Sequence, residues 1–137
     1  MAQACREEVL ALHKFLEGWY AGRAAADDAT FARCADALAP EFRLINPDGE
    51  LTERDDLLAR IRGAHAQYHD TYFHIRIEEV EQRDLADGLC HVTYQEWQET
   101  DGFWTARWTT ALMRACDDAP GGVQWLHVHE TWITDEE

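Results

Sequence analysis

The period of the hydrophobic pattern changes near residue 72, and this change constrains the fold more than any other feature of the chain. Before it, apolar residues recur at helical spacing, as at Val9, Leu12, Leu16 and Trp19. After it, apolar and polar residues alternate along four successive segments with turn signals between them, which predicts four long strands. The segments are YFHIRIEEVEQ, LCHVTYQEWQET, FWTARWTTALMRA and VQWLHVHETWIT.

Two helices, a strand and a third helix are predicted before this change. The first helix ends near Gly22, and Asp27 or Asp28 caps the second. FRLIN is a short strand, NPDG is a turn, and the third helix carries an apolar stripe that ends near Tyr68. The order α-α-β-α-β-β-β-β predicts an α+β fold. One domain over residues 1–137 is expected to pack its three helices on the concave side of a curved antiparallel sheet.

The charge and cysteine content narrow the classes of partner and compartment. Lys and Arg number 12 against 27 Asp and Glu, so the net charge is −15. Such a chain repels phosphate backbones and anionic lipids, and no nucleic acid or membrane partner is expected. No apolar run reaches the length of a membrane span or of a signal-sequence core. The four cysteines form no CxxC pair, so we expect a cytoplasmic protein with reduced, buried thiols. The preference for Arg over Lys is typical of a GC-rich bacterial genome.

The Asp-Gly turn in ETDGFW fixes the register of one strand pair. Closing this turn places Glu96 opposite Arg107 and Tyr94 opposite Thr109, all on one face of the sheet. That face is apolar at one end and polar at the other, which suits the floor of a pocket. An Arg between carboxylates is expected to hold them ionised and lower their pKa values. A structural ion network and a ligand anchor are both compatible with this pattern.

The last two strands carry a family resemblance. TARWTTALMRA, a loop and GVQWLHVHETW resemble the end of SnoaL-like members of the nuclear-transport-factor-2-like (NTF2-like) superfamily and of the calcium/calmodulin-dependent kinase association domain. Those proteins end in a Trp-x-x-x-His pattern on the final strand. The resemblance covers roughly residues 8–134 and implies a cone of sheet and helices around a pocket. This fold hosts isomerases, dehydratases, cyclases and non-enzymes, so it implies no particular reaction.

The resemblance also implies which side of the final strand faces the pocket. It directs Leu126, Val128, Glu130 and Trp132 inward. The expected ligand-binding pocket is lined by Tyr94, Glu96, Arg107, Thr109, Glu130, Trp132, Asn46, Tyr20 and His65. Asn46 stands where ketosteroid isomerases of the superfamily keep a general-base Asp, and because an amide cannot take that proton, the isomerase role is in question. The sequence identifies no catalytic residue.

The opposite face of the sheet is expected to be a dimer interface. Several indoles on an uncovered sheet would form an exposed apolar patch that is rare in monomers. The predicted interface consists of Trp97, Trp108, Trp125, His127 and His129. Neighbouring residues on a strand point to opposite faces, so Glu130 cannot join the two histidines as a metal ligand. His65 and His69 have a better chelating spacing on the third helix, yet core or interface roles explain each histidine better, and neither metal nor cofactor is expected.

A homodimeric protein of the SnoaL-like type that binds a small molecule is the function we infer from the sequence. One alternative is a lyase, isomerase or polyketide-cyclase-like enzyme acting on a small, largely apolar compound. A second alternative is a protein-assembly module like the kinase domain. That domain lines its pocket with Arg, whereas the matching positions here are Tyr94, Ala111 and Trp132, so a preference for anionic ligands is not implied.

Overall fold

The computed structural model describes residues 1–134 and confirms the α+β class and the predicted order of elements, with one short strand added. Within these residues the strands form a single six-stranded sheet in the order β2-β1-β6-β5-β4-β3. Its neighbours are antiparallel except β1 and β6, which run parallel, so the sheet is mixed and not wholly antiparallel as predicted. The elements are α1 (Ala2–Ala21), α2 (Asp28–Ala35), β1 (Leu38–Ile45), β2 (Leu51–Glu53), α3 (Arg54–Gly63), β3 (Phe73–Ala86), β4 (Leu89–Thr100), β5 (Phe103–Ala115) and β6 (Val123–Trp132). None of the helices in this part of the chain is long and apolar enough to cross a membrane.

The hairpin between β4 and β5 has the predicted register. Glu96 pairs with Arg107, and Tyr94 pairs with Thr109. The turn residues Asp101 and Gly102 both have positive φ, 49° and 88°, which is the backbone of a tight two-residue hairpin. This local geometry sets which side chains of the two strands share a face.

A bulge in β6 overturns the predicted orientation of Trp125. Met113 pairs with Trp125, but the preceding residue of β5, Leu112, pairs with His127, so Leu126 is an extra residue in the ladder. The extra residue shifts the alternation by one position. Trp125 therefore points inward and is 2% exposed, and Leu126 does not take the inward position expected for it. The prediction failed because it assumed an uninterrupted period of two.

The stripe on α1 supplies the helical half of the core. Cys5, Val9 and Trp19 are fully buried, and the helix packs against β3, β4 and β6. The Trp19 indole donates a hydrogen bond to the carbonyl of Ile61 in α3 at 2.8 Å. Gly22 ends α1 with φ 82°, as its position in the sequence predicts.

The third helix is shorter than predicted, and this changes the roles of two histidines. Because α3 ends at Gly63, His65 and His69 follow the helix instead of sharing one of its faces. His65 bonds the carbonyl of Ala24 through Nε2 at 2.7 Å and packs edge-on against Trp19. It is absent from the cavity lining, so its predicted place in the pocket is wrong.

A buried carboxylate joins α1 to α2 and β6. Glu8 is 1% exposed and accepts two hydrogen bonds from Arg33, at 3.2 and 2.7 Å. The Trp125 indole donates a third at 2.9 Å, which is possible only because the bulge turns it inward. A side chain at Gly121 would overlap the Glu8 carboxylate, so the loop before β6 is also fitted to this cluster.

Removing Arg33 should destabilise the fold, because the Glu8 carboxylate then remains buried without a cation. Arg33→Met leaves the carboxylate without its cation, and we expect the free energy of unfolding to fall by about 3 kcal/mol in urea titrations. The double variant Glu8→Gln/Arg33→Met should recover most of that loss. Arg62→Met, which breaks an exposed ion pair with Asp28, is the matched control and should cost less than about 1 kcal/mol. An equal loss in the two single variants would contradict a buried role for Glu8.

Candidate functional site

A cavity of about 450 Å³ lies between the helices and the inner face of the sheet. Its walls come from α1, α2, α3 and five of the six strands. Much of its lining is apolar, and the contributing side chains include Leu12, Leu16, Phe42, Leu57, Ile75 and Val128. This size and composition are typical of pockets for small molecules.

Polar side chains gather on the sheet side of this cavity. The predicted residues that line it are Tyr94, Glu96, Arg107, Glu130, Trp132, Asn46 and Tyr20. Thr109 lies between Tyr94 and Glu130 on the sheet, but it is 1% exposed and outside the lining. Thr109 and His65 are therefore the two predicted residues that do not line the cavity. Thr109 lies beneath its floor, and His65 lies elsewhere.

His13 of α1 is a central member of the site that our sequence analysis missed. Its Nε2 lies 3.2 Å from Glu96 Oε1, and its Nδ1 lies 2.8 Å from the carbonyl of Val9. Both ring nitrogens face acceptors, so both carry protons and the ring is cationic. Burial lowers the pKa of His13, but the charge and hydrogen bond of Glu96, together with the Val9 carbonyl, raise it above its usual 6.5. The helical spacing from Val9 could have identified it, because position 13 lies within the apolar stripe of α1.

Glu96 is held ionised by this contact. Burial favours its neutral form, yet the charge and hydrogen bond of His13 outweigh burial, with help from Arg107 and Gln98. The pKa of the Glu96 carboxyl falls to about 2 as a result. Gln98 Nε2 donates to the second carboxylate oxygen at 2.7 Å. Glu96 is therefore a fixed negative charge whose oxygens are both engaged.

Arg107 bonds the carboxylate on its other side. Although it pairs with Glu96 in the strand register, its Nη1 donates to Glu130 Oε1 of β6 at 3.3 Å. The guanidinium also lies over the Trp132 ring, 4.9 Å from the centroid. Within residues 1–134 its Nε is buried without a hydrogen-bond partner. The guanidinium therefore has donors that the protein does not use.

Glu130 behaves oppositely to Glu96. Burial and the repulsion of Glu96 raise the pKa of its carboxyl to about 7, against the attraction of Arg107 and His13. The expectation that an Arg between two carboxylates would lower both pKa values is therefore wrong for Glu130. One Arg cannot offset both burial and a neighbouring fixed charge. The cavity thus holds a carboxyl group that titrates close to neutral pH.

The rim of the cavity is closed by a contact between the last strand and the turn after β1. The Trp132 indole donates to Asp48 Oδ1 at 3.0 Å. Asn46 holds this turn, because its Oδ1 accepts from the backbone N–H groups of Asp48 and Glu50 and its Nδ2 donates to the Glu50 side chain. The amide of Asn46 is therefore engaged in the turn, although the residue lines the cavity.

The outer face of the sheet carries an aromatic patch. Trp97, Trp104 and Trp108 lie on it; Trp104 was not among the predicted interface residues, and Trp125, which was, is buried on the other face. The Arg76 guanidinium lies 4.8 Å from the Trp104 ring centroid and 5.4 Å from that of Trp97. His129, whose ring centroid is 6.5 Å from that of His127, is exposed on the same side. Across residues 1–134, no three His, Cys, Asp or Glu side chains form a group that could hold a metal ion.

Comparison with known families assigns the chain. Residues 5–134 match the family model described as sucrose-6-phosphate phosphohydrolase C-terminal, and the chain belongs to this family. Sucrose-phosphatase 1 of Nicotiana tabacum is 22% identical over 127 residues. Those residues are 92% of this chain but 30% of that protein, so the chain spans less than a third of its relative.

Solved structures share the fold. An NTF2-like protein of unknown function from Pseudomonas aeruginosa has a TM-score of 0.83 at 21% identity, over 96% of this chain and 99% of that one. A CaMKII hub of S. rosetta has a TM-score of 0.74 at 15% identity, over 96% of each chain. The predicted fold, which NTF2-like proteins and the kinase hub share, is therefore confirmed. At these identities the likeness establishes the fold alone.

Replacing Glu130 should change how stability depends on pH. Glu130 keeps its proton to about pH 7 in the folded chain, whereas in the unfolded chain it releases it near 4.5. Stability should therefore fall as pH rises through this window, by on the order of 3 kcal/mol. Glu130→Gln should remove that fall between pH 5 and pH 7 in urea titrations. Glu81→Gln, an exposed position on β3, should retain it. An unchanged pH profile in Glu130→Gln would contradict the assignment.

Proposed function

We propose that this member of the sucrose-6-phosphate phosphohydrolase C-terminal family is a pocket protein of the SnoaL-like type that binds a small molecule in the cavity. The ligand would have an apolar body and a polar group. The observation that carries the proposal is a cluster of four ionisable side chains in a largely apolar cavity. We call this set the polar quartet: His13, Glu96, Arg107 and Glu130.

The energetics of the polar quartet support a binding role. Buried ionic groups cost several kcal/mol each in desolvation, and apolar side chains of similar volume often stabilise a fold better. The pKa of Glu96 lies well below the ordinary value of a carboxyl and that of Glu130 lies well above it. Such paired displacement inside a cavity is typical of functional sites. The apolar side chains opposite would hold the body of the ligand.

The tobacco relative's name raises a sugar phosphate as another ligand. We favour an apolar body because the cavity walls are rich in aliphatic side chains, which leave sugar hydroxyls without hydrogen bonds. Hydrolysis by the whole relative would also involve the more than two thirds of that protein that this chain does not span. Sucrose is nevertheless a useful comparison ligand.

Catalysis is the second candidate function, and Glu130 favours it. A carboxyl with a pKa of about 7 has the proton affinity required of a general acid or base at neutral pH. A lyase, isomerase or cyclase acting on a small, apolar compound would fit the cavity. Glu96 would take no part as a base, because His13 and Gln98 occupy its oxygens.

We also propose that two copies associate through the outer face of the sheet. Trp104 and Trp108 are 41% and 43% exposed there. A second copy would bury these rings, and His127, His129 and Trp97 would lie in the same interface. Trp125, which is part of the core, is excluded from it.

We propose a reducing, cytoplasmic location, which the four free thiols support.

Filling the cavity should weaken binding. Leu16 of α1 lines the cavity, whereas Leu10 of the same helix is 43% exposed. We expect 2-naphthol to bind the wild-type protein in calorimetric titrations, and Leu16→Trp to weaken it by about tenfold or more. Leu10→Trp should leave the affinity unchanged. Stronger binding of sucrose than of 2-naphthol would favour the sugar alternative, and loss of affinity in both variants would argue against the cavity as the site.

Charging the outer face should separate the copies. A dimer at micromolar concentration is expected in sedimentation experiments on the wild-type protein. Trp108→Glu should weaken the dimer by about 30-fold or more, because it buries a charge at the centre of the interface. Leu10→Glu, on the helical side of the sheet, should leave it intact. A monomeric wild-type protein would rule out this interface, and assemblies larger than a dimer would favour the assembly alternative.

A further inference from the structure

The polar quartet leaves two groups free to contact a ligand. Glu96 accepts from both His13 and Gln98, and both nitrogens of His13 face acceptors. Arg107, in contrast, uses Nη1 for a single hydrogen bond of 3.3 Å to Glu130, and its Nε has no partner within residues 1–134. The groups available to a bound molecule are therefore Arg107 and Glu130.

Both of these groups can act as donors to the same oxygen. A guanidinium carries five N–H donors and no acceptor, and a protonated carboxyl adds an O–H donor. Arg107 and Glu130 lie on adjacent strands and line the same cavity. An oxygen placed between them would receive a hydrogen bond from each side chain.

The environment of Glu130 shows that this part of the cavity disfavours a negative charge. It is faced by Arg107 from β5, by Glu96 and Tyr94 from β4, and by His13 from α1. Arg43 of β1 lies beside His127 on the opposite side of β6. Burial and Glu96 raise the pKa of the Glu130 carboxyl to about 7 although a guanidinium is 3.3 Å away. A ligand carboxylate in the same space would meet the same desolvation and the same repulsion.

Charge elsewhere on the chain acts in the same direction. Asp48 stands at the rim of the cavity, bonded to Trp132, and the net charge of the chain is −15. Both disfavour the entry of an anion. An uncharged oxygen acceptor satisfies the donors of Arg107 and Glu130 and adds no buried charge.

We propose that the pocket binds an uncharged carbonyl compound whose oxygen accepts hydrogen bonds from the Arg107 guanidinium and from Glu130 in its protonated form, so that binding places a proton on Glu130. The proposal rests on the proposed binding function and names the chemical class of its ligand. Its consequence is proton uptake on binding, because the carboxylate form of Glu130 repels a carbonyl oxygen. The affinity should then decrease as pH rises through the range in which Glu130 loses its proton.

Three naphthalene probes of similar size test this inference. 2-Acetonaphthone offers a carbonyl acceptor, 2-naphthol a hydroxyl that can also donate, and 2-naphthoate a carboxylate. Each is titrated calorimetrically into the full chain at pH 6 and pH 8, in two buffers of different ionisation enthalpy. At pH 8 the ketone should take up close to one proton. Its dissociation constant should be roughly tenfold higher at pH 8 than at pH 6, as expected when only the protonated form binds.

Glu130→Gln provides the matched variant, because its amide keeps a donor and has no titrating proton. The ketone should bind this variant with the same affinity at both pH values and without proton uptake. Glu81→Gln should behave as the wild-type protein does. If Glu130→Gln does not fold, the proton uptake of the wild-type protein in the two buffers is sufficient to test whether binding is coupled to protonation.

Several results would overturn the inference. Binding of 2-naphthoate at least as tight as that of the ketone would identify an anion site. Equal affinity for the ketone at pH 6 and pH 8, or a persistent pH dependence in Glu130→Gln, would remove Glu130 from the contact. Tight binding of all three probes without preference would overturn the carbonyl assignment and leave the binding function standing. No binding of any probe would overturn both.

Discussion

The contact between His13 and Glu96 determines the electrostatics of the whole cavity. It crosses from the first helix to the middle of the sheet, at 3.2 Å, between two side chains that are each 8% exposed. In such an environment a charge is screened weakly, so the fixed negative charge on Glu96 acts strongly on its neighbours. Burial and this charge together raise the pKa of the Glu130 carboxyl, while the Arg107 guanidinium lowers the pKa of both carboxylates. If His13 did not neutralise Glu96, the burial of so many ionisable groups would be far more costly.

A second buried carboxylate on the same helix, that of Glu8, also fixes the position of α1. Glu8 binds Arg33 and the Trp125 indole, so α1 is joined to α2 and to the last strand by polar contacts as well as by its apolar stripe. Hydrogen bonds of this kind have strict geometric requirements, whereas apolar contacts tolerate sliding. The helix is therefore fixed in rotation and translation over the sheet. That precision matters because a modest shift of α1 would separate His13 from Glu96.

The cavity and the outer face are connected through the sheet itself. Successive residues of β4 and β5 alternate between them, so Glu96 and Arg107 face the cavity while Trp97 and Trp108 face away from it. Association of two copies over the outer face would support the strands that carry the polar quartet. The sheet, in a fold shared with the kinase hub and with NTF2-like proteins, therefore presents a polar and apolar cavity on one face and an aromatic patch on the other.

What the sequence determined by itself is the part of the structure that depends on local rules. The change from helical to alternating spacing predicted the α+β order, and the Asp-Gly turn predicted the pairing of Glu96 with Arg107, because turn geometry and alternation act over a few residues. Tertiary structure decided the rest. The bulge at Leu126 turned Trp125 inward, α3 ended before His65, and His13 became the partner of Glu96. The raised pKa of the Glu130 carboxyl follows from its burial and from the charge of Glu96 on another strand, against the opposing effect of Arg107 and His13. Burial and Coulomb interactions depend on distances in space, and spacing along the chain carries no record of those distances.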